Sequence, residues 1–298
     1  MKVRHFTKLW DLAKDEAITL IERAMQFKRG KNWEKSLQDK ILALIFEKPS
    51  TRTRVSFEVA MSKLGGHSLF LSLQDLQLSR GEPIKDTARV LSRYVDGIVL
   101  RTYKQETIEE FSLYASIPVI NGLSDRFHPC QVMSDIMTII EKGKDLYRDK
   151  IVWIGDGNNV AHSWIEACAL FGFPLTICCP KGYEPDKEIL QKAKDEFNAS
   201  IEIIYEPEEA LRDAKIINTD VWISMGQEVE KEERKRAFKK FTLDKEKLEL
   251  AHPEAIVLHC LPAYRGMEIT EEVLEGRQSV VWDQAENRMW FQMSLLDF

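Results

Sequence analysis

Residues 40–66 read KILALIFEKPSTRTRVSFEVAMSKLGG: an apolar run, a polar turn and an amphipathic segment in direct succession. The apolar run from Ile41 to Phe46 is too short and too uniformly apolar for a surface helix, which predicts a buried strand of a parallel sheet. Val55, Val59 and Leu64 then recur at helical spacing, as the apolar face of an amphipathic helix that ends at the closing glycines. The stretch therefore predicts a strand, a turn and a helix.

The polar turn in this stretch has the composition of an anion site. Ser50 to Thr53 fall across the first turn of the predicted helix, where backbone N–H groups and the positive end of the helix dipole attract anions. The hydroxyls of Ser50, Thr51 and Thr53 add donors, and Arg52 can bind two oxygens at once. An arginine-bearing surface turn with a serine cap is the alternative. Two arginines and three hydroxyls between a strand and a helix favour a phosphate site.

Composition excludes several classes of protein. The chain has 298 residues, 44% of them hydrophobic, which suits two domains with their own cores. A net charge of -6, with both signs alternating along predicted helices, disfavours a nucleic-acid partner, because such binding needs a broad basic face. No apolar stretch approaches membrane-spanning length, so no membrane partner is expected. Five cysteines, never spaced as CxxC, indicate reduced thiols and a cytoplasmic protein.

Strand and helix patterns alternate along the chain. Further strands are predicted at 68–71, 97–100, 118–120, 151–154, 175–179, 201–205, 216–219, 256–258 and 280–282, with helices at 84–94, 108–115, 132–142, 161–171, 186–197, 244–252 and from 284 onward. This alternation requires parallel sheets, whose ligands bind beyond the carboxyl ends of the strands. We therefore expect an α/β fold of two parallel-sheet domains, 1–143 and 144–283, with a cleft between them.

One charged stretch is expected to be mobile. Residues 228–240 are long for a loop and carry little apolar material to anchor them. We therefore expect this stretch, together with the preceding sequence SMG, to form a lid.

A glycine motif after the predicted strand at 151–154 suggests a second interpretation. The sequence GDGNNVAHS begins like the GxGxxG fingerprint of dinucleotide-binding proteins, but Val160 stands at the third glycine position. The acidic residue that would hold a ribose is also missing, because Cys178 and Cys179 lead into Pro180. A nicotinamide-dependent oxidoreductase is the weaker alternative, against glycines that make a tight turn.

Motifs spread over nearly the whole chain resemble one enzyme family. STRTR is followed by FHPCQ (127–131), DVWISMGQE (220–228), HCLPAYRG (259–266) and WDQAENRMW (282–290). In this order they resemble the aspartate/ornithine carbamoyltransferases, and the pair of SMG and HCLP is typical of the ornithine branch. The resemblance implies transfer of the carbamoyl group of carbamoyl phosphate to L-ornithine, which yields L-citrulline and phosphate.

The resemblance also implies features of the assembly and the fold. It implies a homotrimer or a multiple of trimers, and a C-terminal helix, residues 284–298, that returns to the first domain. The six histidines are scattered and form no metal cluster in the sequence, so we expect no metal and no cofactor.

Carbamoyl transfer requires groups that bind phosphate and polarise the carbonyl. For phosphate, the resemblance adds Gln77 and Arg101 to the turn. His128 and Gln131 can donate to the carbonyl oxygen, and Arg288 resembles the family residue that contacts the carbamoyl group. A lone histidine before proline is more often a loop residue, so the role of His128 depends on the other motifs.

The amine must also be oriented. The residues assigned to this task by the resemblance are Asn159, Asp220, Ser224, Met225, Cys260 and the main chain at Leu261. Asp220 would bind the α-amino group and leave the δ-amine free to attack, while Asn159 would face the carboxylate. Without the family, Asp220 would be a strand-terminal cap and Cys260 a buried small residue. The expected catalytic residues are Arg101, His128, Asp220 and Cys260.

Two alternatives remain within the family. A relative that binds ligand without turnover would keep the fold, because fold does not imply function. The putrescine and N-acylornithine branches differ in the segment after Asp220, where this chain has the ornithine pattern. Arginine biosynthesis is the favoured role, and the catabolic direction stays open.

Overall fold

The chain divides into two units, one formed by Met1–Met133 with Arg288–Phe298 and the other by Ser134–Asn287. The computed structural model describes residues 3–30, 34–223 and 228–298, apart from the side chain of Glu228. Each unit contains a parallel sheet with helices, which confirms the expected fold class of two parallel-sheet domains. The boundaries proposed from sequence, 143 and 283, remain predictions.

The first unit is built on a sheet of four parallel strands. These are β1 (Ile41–Phe46), β2 (His67–Ser72), β3 (Gly97–Arg101) and β4 (Val119–Leu123), in the order β2-β1-β3-β4. The helices are α1 (Lys14–Lys28), α2 (Thr51–Lys63), α3 (Ile84–Leu91), α4 (Gln105–Tyr114) and the start of α5 (Pro129–Glu141). The central strands β1 and β3 are almost wholly buried, as their continuous apolar sequences predict.

The second unit is built on a sheet of five parallel strands. These are β5 (Ile151–Ile154), β6 (Leu175–Cys178), β7 (Ile201–Ile204), β8 (Ile216–Thr219) and β9 (Ile256–His259), in the order β7-β6-β5-β8-β9. The helices are α6 (Asn159–Phe171), α7 (Lys187–Phe197), α8 (Pro207–Leu211), α9 (Lys231–Phe238), α10 (Lys245–Leu248), α11 (Glu271–Leu274) and α12 (Val281–Asp297). The last part of α12, from Arg288, belongs to the first unit, which confirms the expected return of the C-terminal helix.

Within each unit the sheet brings motif residues to one edge. In the first unit the ends of β1 and β3 are in register, with Phe46 opposite Arg101. In the second unit the ends of β8 and β9 are in register, with Thr219 opposite His259. The residues that follow these strand ends therefore lie near one another at the carboxyl edge, where parallel sheets bind ligands.

Helix α2 forms where the sequence predicts it, but its buried face differs from the prediction. Val55 and Val59 are exposed, at 49% and 37%, whereas Phe57 and Met61 are buried. Both pairs recur at helical spacing, so periodicity predicts the helix without deciding which of its two apolar stripes faces the core.

Two predictions near the end of the chain are wrong. The segment 280–282 is not a strand: a single bridge joins Val257 to Ser279, and α12 begins at Val281. An apolar run of three residues is too short to show its period. The helix predicted at 244–252 is limited to α10, which ends four residues before the predicted end.

The stretch 228–240, expected to be a loop, is helical and anchored. It contains a 3-10 helix (Glu228–Glu230), α9 and a 3-10 turn (Lys239–Phe241). Phe238 is fully buried, and its ring lies 4.8 Å from that of Tyr183 and 5.8 Å from that of Trp222. The prediction of a poorly anchored loop was wrong because it gave too little weight to the packing of one aromatic residue, Phe238, among many charged ones.

A buried ion pair fixes α9 to the β5–α6 turn. Arg234 Nη1 lies 3.0 Å from Asp156 Oδ2, and both side chains are less than a tenth exposed. The same nitrogen donates to the Trp222 carbonyl at 3.1 Å, and the guanidinium lies over the Tyr183 ring. Arg234 therefore connects α9 with the two segments that carry Asn159 and Asp220 in sequence.

The glycines of GDGNN act as turn residues. Gly155 has φ +142°, and a Cβ on Gly157 would lie 2.3 Å from the Pro185 nitrogen. Only glycine fits this approach of the turn to the segment after β6. The close approach supports the interpretation of these glycines as parts of a tight turn.

The described residues form helices of different lengths and compositions. None of the helices there combines the length and the apolar composition needed to cross a bilayer.

Candidate active site

The anion turn predicted from STRTR is the amino-terminal turn of α2. Ser50 is its N-cap residue, because Ser50 Oγ accepts from the Thr53 N–H at 3.3 Å and the Ser50 carbonyl accepts from the Arg54 N–H at 3.1 Å. Thr51 and Arg52 are exposed in the first turn, whose N–H groups lack carbonyl acceptors within the helix. Hydroxyl, guanidinium and amide donors are thereby offered to an anion at one place.

Two arginines converge on the buried hydroxyl of Thr53. Arg101 Nη1 lies 3.4 Å and Arg288 Nη2 3.1 Å from Thr53 Oγ1. Arg288 Nη1 also donates to Gln131 Oε1 at 2.8 Å. Elements far apart in sequence, namely α2, β3, α5 and α12, thus bring Thr53, Arg101, Gln131 and Arg288 together within the first unit.

His128 lies beside these arginines and is neutral. Burial, followed by the positive charges of Arg288 and Arg101, lowers the pKa of the imidazole well below its usual value. A neutral imidazole keeps one ring N–H as a hydrogen-bond donor. The backbone of His128 begins α5, since its carbonyl accepts from the Gln131 N–H at 3.1 Å. The ring is therefore suited to donate to a carbonyl oxygen at neutral pH without adding a charge.

Gln77, expected at the phosphate, lies on a separate element of the first unit. It begins a 3-10 helix (Gln77–Arg80) after β2, and its side chain is exposed. Among the described residues, no hydrogen bond joins that side chain to the phosphate turn. The assignment of Gln77 to the phosphate stays a prediction.

In the second unit, a buried carboxylate follows β8. Asp220 Oδ1 accepts from Cys260 Sγ at 2.9 Å, and Asp220 Oδ2 accepts from Asn158 Nδ2 at 2.9 Å. Asp220 is 6% exposed, and its two oxygens are positioned by two donors while keeping lone pairs for a further one. This geometry suits an ammonium group, for which a buried carboxylate is a strong acceptor.

Asn158 was not identified from the sequence, which pointed to Asn159. Asn158 is the N-cap of α6, and its Oδ1 accepts from the Val160 and Ala161 N–H groups at 2.9 and 3.2 Å. The amide thus caps the helix through oxygen and holds Asp220 through nitrogen. An asparagine before an apolar helical run is an N-cap signal that could have identified it. Asn159 is the first residue of α6 and is half-buried.

The HCLP segment is held by a buried histidine and glutamate. His259 Nδ1 accepts from the Leu261 N–H at 2.9 Å, and His259 Nε2 lies 3.0 Å from Glu268 Oε1. The first contact requires an unprotonated Nδ1, so the ring proton lies on Nε2 and points to the glutamate. Leu261 has a left-handed backbone, φ 57°, which this bond supports. The main chain at Leu261 is therefore fixed beside Cys260.

Ser224 and Met225, also assigned to the amine, lie outside the described residues. Leu261, Cys260, Asp220 and Asn159 are described, and all four belong to the second unit. The structure thus brings the Asp220 and Cys260 side chains together directly.

Three residues have the composition of a metal ligand set: Asp220, His259 and Cys260 each place one donor atom within 4.8 Å of the others. Both ring nitrogens of His259 and both oxygens of Asp220 already take part in the hydrogen bonds given above. Metal binding would have to break at least one of these bonds, so the geometry favours the hydrogen-bonded arrangement over a preformed metal centre.

A cavity of about 260 Å³ lies elsewhere in the second unit. It is lined by Lys150, Ile151, Leu175 and Glu202 at the amino ends of β5, β6 and β7. Because parallel sheets bind substrates at their carboxyl edge, we do not assign this cavity to the reaction.

Sequence comparison identifies both halves of the chain. The model of the aspartate/ornithine carbamoyltransferase carbamoyl-P binding domain matches residues 4–141. The model of the Asp/Orn binding domain of the same enzymes matches residues 148–298. These matches define the class, a two-domain transferase. The chain belongs to the aspartate/ornithine carbamoyltransferase family, which confirms the resemblance found in the motifs.

Individual relatives point to one branch of the family. An ornithine carbamoyltransferase from Geobacter sulfurreducens is 52% identical over 297 residues, which cover 99% of this chain and 98% of that protein. The structure of ornithine carbamoyltransferase from Pyrococcus furiosus is similar with a TM-score of 0.93 and 49% identity, covering 98% of this chain and 96% of that one. The structure of anabolic ornithine carbamoyltransferase from Campylobacter jejuni gives a TM-score of 0.93 at 45% identity, with coverage of 99% and 98%.

Proposed function

We propose that this chain transfers the carbamoyl group of carbamoyl phosphate to the δ-amine of L-ornithine, with L-citrulline and phosphate as products. The observation that carries the proposal is the buried His128 beside Arg101 and Arg288, next to the anion turn of α2, in surroundings that lower the pKa of its imidazole. The arrangement pairs a cationic anion site with an uncharged hydrogen-bond donor. A carbamoyl phosphate molecule needs both, one for its phosphate and one for its carbonyl.

The phosphate is bound by Ser50, Thr51, Arg52 and Thr53. Phosphate leaves as a multiply charged anion, so the helix N-terminus and Arg52 stabilise the leaving group. Arg101 lies 3.4 Å from Thr53 Oγ1 and extends the positive charge towards the carbamoyl end. Gln77 is proposed to contribute to the phosphate site, and the resemblance places its loop near a subunit contact.

The carbonyl oxygen gains negative charge as the amine attacks. His128 donates through its ring N–H, and the amide nitrogen of Gln131 is the donor end, because Gln131 Oε1 accepts from Arg288. Arg101 and Arg288 stabilise the developing oxyanion electrostatically. The loss of one such donor typically slows an enzyme about 10²- to 10³-fold.

Ornithine is bound by the second unit. Asp220 accepts a hydrogen bond from the α-ammonium group. The Asp220 carboxylate is held in place by hydrogen bonds from Asn158 and Cys260. Asn159, Ser224 and Met225 complete the pocket, as the resemblance implies. The charge of Asp220 distinguishes the two amines of ornithine, because the bound α-ammonium is unreactive and the δ-amine remains free to attack.

The δ-amine attacks directly and in its neutral form. The Cys260 thiol donates to Asp220 and is a positioning group, so no covalent intermediate forms on it. The main chain at Leu261, fixed by His259, contacts the ligand beside Cys260. Catalysis thus depends on positioning and on stabilisation of charge.

The cellular setting is proposed from chemistry and from relatives. All five cysteines are thiols, as expected in the reducing cytoplasm. The Campylobacter jejuni relative is described as anabolic, which supports a role in arginine biosynthesis. The alternative substrates each lack one charged group that the second unit is proposed to bind. Putrescine has no carboxylate, and N-acylornithine has no α-ammonium.

The reaction itself is tested with the purified chain. Carbamoyl phosphate and L-ornithine together should give citrulline and inorganic phosphate in equal amounts. Release of phosphate without citrulline, in excess of the spontaneous breakdown of carbamoyl phosphate without enzyme, would indicate a phosphatase and would overturn the proposal.

Replacing Arg52 by lysine should weaken phosphate binding about tenfold or more, because lysine cannot bind two oxygens in one plane. The dissociation constant of inorganic phosphate measures this by calorimetry. Arg54→Lys is the matched control, since Arg54 is engaged with Glu58 at 2.9 Å and with the Phe70 ring. Equal affinities in both variants would remove Arg52 from the phosphate site.

We further propose a homotrimer or a multiple of trimers, with active sites at subunit contacts, as the resemblance implies. Support comes from apolar side chains exposed on the edge of the first unit. Val55 and Val59 on α2 are exposed at 49% and 37%, and Leu69 on the edge strand β2 at 47%. An edge strand with exposed apolar side chains is a place where another chain packs.

Replacing Leu69 by glutamate should therefore dissociate the trimer and lower activity. Light scattering with an assay at the same concentration measures both effects. Leu113→Glu is the control, because Leu113 is 73% exposed on α4. Helix α4 leads into β4, which lies at the opposite end of the strand order from β2. A wild-type monomer with full activity would contradict the trimer.

A further inference from the structure

A buried polar cluster lies beneath the loop that carries His128. Gln105, Asn121 and Ser124 are each 1% exposed or less. Gln105 Oε1 accepts from Ser124 Oγ at 2.7 Å and from Asn121 Nδ2 at 3.2 Å. Asn121 Nδ2 also donates to the Thr7 carbonyl at 2.8 Å. None of these residues is among the substrate-binding residues proposed above.

Ser124 closes the turn that leads into His128. Its N–H donates to the Phe127 carbonyl at 2.9 Å, and its Oγ accepts from the Phe127 N–H at 3.1 Å. A serine hydroxyl has only one hydrogen to donate. Ser124 Oγ lies 2.7 Å from Gln105 Oε1 and 3.4 Å from the Phe127 carbonyl, so the hydrogen is directed to Gln105. With the hydrogen fixed there, the lone pairs of Oγ face the backbone of the turn. Gln105 thus sets the orientation of the hydroxyl that holds residue 127.

Gln105 also contacts the turn through its backbone. The Gln105 N–H donates to Asp125 Oδ1 at 2.9 Å, so the carboxylate also lies at the amino end of α4, where the helix dipole favours it. The Asp125 N–H in turn donates to the Tyr103 carbonyl at 3.1 Å. Backbone and side chain of Gln105 therefore hold successive residues of one turn.

We propose that Gln105 is a positioning residue for His128, acting through Ser124 and the turn at 124–127. This inference rests on the proposed function, in which His128 donates to the carbonyl oxygen. A small displacement of a catalytic donor reduces its effect in the transition state, because the hydrogen bond weakens steeply with distance and angle. The role is confined to the carbonyl, since the phosphate turn is capped separately by Ser50.

The proposal is tested with Gln105→Met, which keeps the length of the side chain and removes the acceptor. We expect kcat to fall about tenfold or more, with the dissociation constant of inorganic phosphate and the KM of ornithine unchanged. Ser124→Ala should have a similar effect on kcat. The double variant should be no slower than the slower single variant, because both changes break the same connection.

Asn121→Ala is the matched control. Asn121 is buried in the same cluster and donates to the same Gln105 oxygen, but it does not hold the 124–127 turn. Its loss should lower the midpoint of urea unfolding and leave kcat unchanged. A kcat loss in Asn121→Ala equal to that in Gln105→Met, additive effects of Gln105 and Ser124, or wild-type kcat in Gln105→Met would each overturn the proposal.

A crystal structure of Gln105→Met separates this inference from the proposed function. If the wild-type chain forms no citrulline, the proposed function fails. The position of His128 in the variant then decides the inference alone. A displaced 127–128 backbone supports it, and an unmoved one overturns it.

Discussion

Replacing His128 by glutamine should lower kcat for citrulline formation about 10²- to 10³-fold, the range found when one oxyanion donor is lost. Burial and the charges of Arg288 and Arg101 lower the pKa of the imidazole, which favours the neutral form that we propose as the hydrogen-bond donor. Glutamine retains an N–H donor but places it differently. The affinity for inorganic phosphate should be unchanged, because the turn of α2 is proposed to bind it without His128.

Steady-state kinetics and phosphate calorimetry check this expectation. His252→Gln is the matched control, since His252 lies in the second unit and its Nδ1 accepts from the Glu254 N–H at 3.1 Å. A His128→Gln enzyme with wild-type kcat would show that the carbonyl is polarised by other groups.

Replacing Arg234 by methionine should lower the free energy of unfolding by about 3 to 5 kcal/mol, the usual cost of breaking a buried ion pair from one side. The change removes the positive charge that lies 3.0 Å from the buried carboxylate of Asp156. It also removes the N–H that donates a hydrogen bond to the Trp222 carbonyl. Methionine keeps most of the apolar contact with Tyr183, so the loss reports the charge and the hydrogen bonds.

Urea unfolding measures the effect of Arg234→Met. Arg236→Met on the same helix is the control, because Arg236 is exposed and a surface substitution of this kind changes stability by about 0.5 kcal/mol or less. Equal stabilities of the two variants would show that the Arg234 pair does not hold α9 in solution.

The sequence predicts the fold class because its strongest patterns are local. The run Ile41–Phe46 is a buried strand, and the turn after it caps α2 through Ser50, as predicted. Which stripe of α2 faces the core is decided by tertiary packing, so periodicity alone misplaced Val55 and Val59. The same limit explains α9, where one buried phenylalanine and one buried arginine outweigh a charged composition.

The candidate site is predicted less completely than the fold. Motif residues such as Arg101, Asp220 and Cys260 could be named because they stand in recognisable strings. Asn158 and Gln105 were missed, because each acts through a contact made by a residue distant in sequence. Asn158 meets Asp220 and Gln105 meets Ser124, and neither partner can be read from spacing along the chain. Such contacts exist only after folding.

The most direct test of the proposed function compares amine acceptors at saturating carbamoyl phosphate. L-ornithine, putrescine, N-acetylornithine and L-aspartate are each offered to the wild-type enzyme, and kcat/KM for carbamoylation is measured. Asp220 is proposed to bind the α-ammonium group, which N-acetylornithine lacks. Asn159 is proposed to face the carboxylate, which putrescine lacks. We expect L-ornithine to be preferred by about tenfold or more over each of the others. An equal or higher kcat/KM for any of them would contradict the assignment of the second unit as an ornithine site.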